Sequence, residues 1–135
     1  MKKLYLILVI IVILIMDLMV IRFVIGGDED SWIKDEKGIW VKHGNPGGLP
    51  NYVQEQQQAI TCALNLYSQK KAGSMEFLSQ CLGTCELGGG YAVDIVHAPR
   101  VEEDNHAENQ CEDYKQGKAK NFIELDKNGE VVMVN

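Results

Sequence analysis

Leu4 to Ile25 is apolar at almost every position, and Asp17 and Arg22 are its charged residues. A run with neither alternation nor a polar stripe has no face to show water. It predicts a helix surrounded by apolar material. Its 22 residues reach about 33 Å as a helix, enough to cross a hydrocarbon core of about 30 Å. A charge near mid-span costs roughly 2.5–3.5 kcal/mol, which the many Leu, Ile and Val residues offset. Arg22 can snorkel to the interface. Asp17 is either tolerated in so apolar a helix or faces a partner helix. Lys2 and Lys3 precede the run and Asp28, Glu29 and Asp30 follow it. By the positive-inside rule this orients the C-terminal part outside the cytoplasm. The run is long for a cleaved signal peptide and no Ala-x-Ala site follows, so an uncleaved signal-anchor is the expectation.

Beyond the run the periodicity changes. Residues 26–30 read as a short charged tether. Trp32-Ile33 and Ile39-Trp40-Val41 flank Asp35-Glu36-Lys37-Gly38, which predicts a small aromatic hairpin. The Gly- and Pro-rich stretch from His43 to Pro50 is a loop. From Asn51, an N-cap candidate, Val53, Ile60, Ala63, Leu64 and Tyr67 recur at helical spacing to about Lys71. Gln54, Gln56, Gln57 and Gln58 form the wet side of that helix. Met75 to Leu82 alternates as a strand with Met75, Phe77, Ser79 and Cys81 on one face, and Gly83 to Gly90 is a turn region. Tyr91 to His97 alternates most clearly, with Asp94 on its wet side. Glu102-Glu103-Asp104 opens a short helix that ends near Lys115. Phe122–Leu125 and Glu130–Val134, joined by Asp126-Lys127-Asn128-Gly129, close the chain as a hairpin. This divides the chain into an anchor (1–27), a tether with the aromatic hairpin (28–50) and an α+β domain (51–135). The domain is expected to pack a helix on an antiparallel sheet.

Cysteine usage sharpens this reading. Cys62, Cys81, Cys85 and Cys111 all follow the apolar run. An even number in a small domain outside the cytoplasm implies two disulfides, each contributing about 2–4 kcal/mol. A Cys81–Cys85 bridge would constrain little chain, so Cys62 pairs with Cys81 or Cys85, and Cys111 with the other. The shared face of Cys81, Met75 and Phe77 slightly favours Cys62–Cys81. Cys81 and Cys85 do not form a Cys-x-x-Cys motif, and the four spacings match no usual zinc module.

Charge excludes one class of partner. From Asp28 onward there are ten basic and eighteen acidic residues, a formal charge of −8. Such a surface repels nucleic acid and anionic headgroups, so no nucleic-acid role is expected. No calcium loop, phosphate loop, dinucleotide fingerprint or Gly-x-Ser-x-Gly occurs. Neither cofactor nor metal nor catalytic residue is therefore assigned. His43, His97 and His106 lack metal-ligand spacing. The candidate recognition surfaces are Trp32 with Trp40, and the Cys81–Cys85 loop.

Two blocks carry a resemblance. One is Trp32-Ile33 with Gly38 to Pro46; the other is Phe77 to Arg100 with Asn109-Gln110-Cys111. Together they resemble uncharacterised small extracytoplasmic proteins of archaeal and related genomes that carry an N-terminal apolar segment. That resemblance implies location but no mechanism. The order of elements is also similar to the cystatin-like arrangement, although no Gln-x-Val-x-Gly inhibitory loop is present. The expectation is a non-catalytic binding or assembly protein, held in the cell membrane by residues 4–25, with a protein partner. The alternatives are an envelope enzyme or thiol redox factor using Cys81, Cys85 or His97, and a small subunit of a membrane complex.

Overall fold

The computed structural model describes residues 2–25 and 30–135, with side chains assigned through Arg22 and again from Asp30. Most of the tether, residues 26–29, lies outside the described residues. Two compact units are present: Met1–Ile33 with Val41–Leu49, and Lys34–Trp40 with Pro50–Asn135.

In the first unit, α1 (Lys2–Ile25) is the apolar helix. From Lys2 to Arg22 none of it is buried within the protein, and by length and composition it can cross a membrane. Arg22 donates to the Asp30 carboxylate through Nη1 and Nη2. The expected hairpin forms from β1 (Ser31–Lys34) and β2 (Trp40–His43), which pair as a two-stranded sheet; Lys34 and Trp40 belong to the second unit. Trp32 is half-buried, and its indole N–H donates to the Gly48 carbonyl at 3.3 Å.

The second unit is α+β. It contains α2 (Asn51–Ala72), β3 (Gln80–Cys85), β4 (Tyr91–Ile95), α3 (Glu112–Lys115), β5 (Asn121–Leu125) and β6 (Val131–Val134). The four strands form one sheet in the order β3-β4-β5-β6. β3–β4 and β5–β6 are antiparallel. The central pair β4–β5 is parallel. The expected all-antiparallel sheet is thus corrected to a mixed one. The chain between β4 and β5 is long enough for the crossover a parallel pair needs. That crossover holds two 3₁₀ turns, Glu102–Asn105 and Ala107–Asn109, and only one turn of α-helix, Glu112–Lys115, where one short helix was expected.

α2 lies on one face of the sheet. Ala59, Ala63 and Tyr67 pack with Leu82, Cys85, Tyr91, Val93, Ile95, Ile123, Leu125 and Val134. Ile60 joins at the margin, while Leu64 is exposed rather than on the buried face. Pro50, not Asn51, is the N-cap residue. The Tyr67 ring stacks on Phe77 at 4.7 Å, and its hydroxyl donates to the Lys127 carbonyl at 2.9 Å. This ties the helix to the β5–β6 turn. Gly129 in that turn has φ +85, and a Cβ there would meet the Tyr67 ring at 2.6 Å.

Gln56 is the second correction. It is buried, not on the wet side. The Trp40 N–H donates to its Oε1 at 2.8 Å, and its Nε2 donates to the Gly38 carbonyl at 2.9 Å. An amide serves here because it offers an acceptor and a donor to two backbone groups that the sheets leave over. Gln56→Leu is expected to lower stability by about 2–4 kcal/mol, since each stranded group costs about 1–3 kcal/mol. Urea unfolding followed by tryptophan fluorescence measures it.

The disulfides join Cys62 to Cys85 and Cys81 to Cys111, with Cα atoms 6.2 and 4.8 Å apart. The favoured Cys62–Cys81 pairing is therefore overturned, and a bulge is the reason. The ladder steps from Cys81↔Asp94 to Gly83↔Val93, so Leu82 is an extra residue in β3. One inserted residue reverses the facing of everything beyond it. Cys81 and Cys85, which strict alternation puts on one face, stand on opposite faces. Cys85 meets α2, and Cys81 meets the crossover segment. The strand itself begins at Gln80, later than the expected Met75.

Candidate functional site

β4 is buried on both faces. Tyr91, Val93 and Ile95 point to α2, while Ala92 and Asp94 point to the other side, under the crossover. There Ala92, Cys111 and Ala119 form a small second core, with Tyr114 and Phe122 packed against it. Register puts Cys81, Asp94 and Glu124 in one row across three strands. Neighbouring strands are about 4.8 Å apart, so Asp94 and Glu124 are adjacent carboxylates on one sheet face.

Both are buried, Asp94 at 8% and Glu124 at 6% exposure. Asp94 on the wet side of its strand is thus a further correction. The crossover that parallel pairing demands covers that face. Asp94 Oδ1 accepts the Cys111 N–H at 3.2 Å. Burial is the main influence on Asp94 and raises it. The Cys111 N–H pulls the other way, the Glu124 charge adds to the rise, and Arg100 subtracts from it. The result is a carboxyl pushed up to about 6.

Glu124 Oε1 accepts from Arg100 Nη1, while Oε2 has no hydrogen-bond partner among the described residues. Arg100 is held in place by Asn105 Oδ1 at 2.9 Å and the Asp104 carbonyl at 3.4 Å. Its hydrogen bond to Glu124 raises its pKa above the usual arginine value.

Asp104 organises the loop that carries Arg100. Its carboxylate accepts the Val101 N–H at 2.8 Å and the His97 N–H at 3.1 Å, and it contacts His97 Nδ1 at 2.9 Å. Burial pushes this carboxyl up. The Val101 N–H, the His97 ring and N–H and the Ser79 hydroxyl outweigh that and hold it below the usual range. His97 is therefore a structural partner of Asp104.

These groups line a cleft of about 220 Å³ whose walls include Asp94, Arg100, Gln110, Tyr114, Phe122 and Glu124. Tyr114 and Phe122 meet edge to face at 5.5 Å. The cleft thus holds Asp94, Asp104 and Glu124 against one guanidinium. Asp94 and the sulfurs of Cys81 and Cys111 lie within 4.8 Å of one another. Because these sulfurs are bonded to each other, they offer no thiolate to a metal.

The residues singled out from sequence are dispersed. Trp40 lies against Tyr52 at 4.7 Å, with Lys34 Nζ 5.5 Å from its ring centroid. Trp32 has the Lys42 ammonium 5.8 Å from its ring. Cys81 and Cys85 are separated by the sheet, so no loop bearing both forms a site. Asp94, Glu124 and Arg100 were missed as a group. The available signal was Ala92 and Val96 flanking Asp94 on its own face, which marks a strand buried on both sides. Against known protein-family models, curated proteins and solved structures, the chain matches none.

Proposed function

We propose that this is a membrane-anchored, non-catalytic binding or assembly protein. α1 spans the membrane as an uncleaved anchor with Lys2 and Lys3 inside, and the α+β domain is displayed outside the cytoplasm. Disulfides support that placement, because they persist in oxidising compartments. The Arg22–Asp30 pair suits the outer end of a span.

The observation that carries the binding reading is Glu124 Oε2, buried and without a hydrogen-bond partner among the described residues, on a residue that lines the cleft. A buried charged oxygen without a donor is unfavourable for folding, so its retention favours a role in recognition. Among the described residues that line the cleft there is no nucleophile with an adjacent base, which favours binding over catalysis. The test is crosslinking in native membranes followed by capture of the full-length chain. Wild type is expected to bring down a discrete protein partner, Glu124→Gln at least tenfold less, and a Trp32→Ala/Trp40→Ala variant as much as wild type. Equal capture by Glu124→Gln, or no partner at all, contradicts the reading.

One observation favours a second reading. The Cys81–Cys111 disulfide beside buried Asp94 suits thiol exchange, with Asp94 protonating the departing Cys111 sulfur. Rapid reduction of this bond alone by a small dithiol, slowed by Asp94→Asn, is its signature.

A further inference from the structure

Resting on the binding reading, we infer that the Asp94–Glu124 cleft takes a primary alkylammonium group, such as a lysine side chain of the partner. The charged and titratable groups that face the space are Asp94 from β4, Glu124 from β5, Asp104 and Arg100 from the crossover loop, and Tyr114 from α3. Asp104 is spent on His97 and the Val101 N–H, so Asp94 and Glu124 against one guanidinium leave room for one more positive charge. Glu124 Oε2 supplies an acceptor that no group among the described residues uses. Tyr114 and Phe122 supply aromatic surface for a cation and its alkyl stem. A cleft of about 220 Å³ is below the usual range for a whole drug-sized ligand and accommodates an end group.

A divalent metal fits less well. Calcium wants six to eight oxygens. Here Arg100 already occupies Oε1 of Glu124 and would stand beside the ion. An ammonium brings N–H donors to Oε2 and adds a single charge. Asp94 then has a defined part: ionised, it completes the acceptor pair; protonated, it does not.

The test uses the full chain in zwitterionic detergent, ¹⁵N-labelled and titrated with n-butylammonium, tetramethylammonium and calcium chloride. n-Butylammonium is expected to give saturable shifts centred on the amides of Asp94, Tyr114 and Glu124. Affinity should fall about tenfold from pH 7.5 to pH 5 as a carboxyl near pH 6 takes up its proton. Glu124→Gln should weaken it at least tenfold, with Asp94→Asn as the second variant. The ¹⁵N spectrum reports whether each remains folded.

Tetramethylammonium, which lacks N–H, should bind at least tenfold more weakly. No saturable shift, binding untouched in folded Glu124→Gln or Asp94→Asn, or calcium binding more tightly at the same residues overturns the inference. Carbodiimide coupling in native membranes separates the sources. A Glu124 or Asp94 peptide joined to a partner lysine peptide identifies a protein side chain, and a small-mass adduct identifies a free amine and overturns the partner-lysine assignment. If n-butylammonium fails while Glu124→Gln still loses the partner, the binding reading stands and the ligand class falls. If n-butylammonium binds but no partner is captured, the ligand class stands and the binding reading falls.

Discussion

Asp94→Asn is expected to stabilise the domain at pH 7.5 by up to about 3 kcal/mol and to leave it nearly unchanged near pH 3.5. The carboxyl is raised from 3.8 to about 6 by the fold. A group raised on folding favours the folded state most when both states hold the proton, below the unfolded value. That contribution is lost as pH rises through the folded value, here between about pH 4 and pH 6. A rise of this size corresponds to about 3 kcal/mol. Asparagine keeps an acceptor for the Cys111 N–H and carries no charge to desolvate. Urea unfolding of the full chain in detergent at the two pH values measures the effect. Such a gain means that the native sequence retains a carboxylate where a neutral residue folds better, the usual mark of a functional position.

Removing either disulfide has a comparable effect of opposite sign. Cys62→Ser/Cys85→Ser and Cys81→Ser/Cys111→Ser are each expected to lose about 2–4 kcal/mol, because each bridge closes a substantial loop of the unfolded chain. Their sequence separations are 23 and 30 residues. The consequences differ by location. The first pair holds α2 against β3, so its loss loosens the main core. The second holds the crossover over Asp94, so its loss should also return Asp94 toward an ordinary carboxyl, readable as a weaker pH dependence of unfolding. Non-reducing peptide mapping should recover Cys62–Cys85 and Cys81–Cys111. Recovery of Cys62–Cys81 would contradict the bulge at Leu82.

The long periodic elements were legible from sequence. The apolar run is α1, the Val53–Tyr67 stripe is α2, the alternation from Tyr91 is β4, and Asp126 to Gly129 is a hairpin turn with Gly129 donating to the Asp126 carbonyl at 2.9 Å. The disulfide partners were not, because a bulge is one residue long and leaves composition unchanged. Gly83, with φ +149 inside a strand, was its only trace. Gln56 carries no sign of burial in the sequence, because glutamine usually faces water; its burial depends on two backbone groups distant in sequence. The cleft was hidden for the same kind of reason. Asp94, Arg100 and Glu124 share no local spacing, and only the parallel pairing of β4 with β5 brings the carboxylates together.

The cleft as the protein's point of recognition is tested most directly by photo-crosslinking from position 114 in native membranes, with a photoreactive phenylalanine analogue replacing Tyr114. In the otherwise wild-type chain one discrete partner product should form. With Asp94→Asn added, the yield should fall at least tenfold even though the domain has become more stable. An unchanged yield would show that the carboxylates serve only the fold, and would contradict the account.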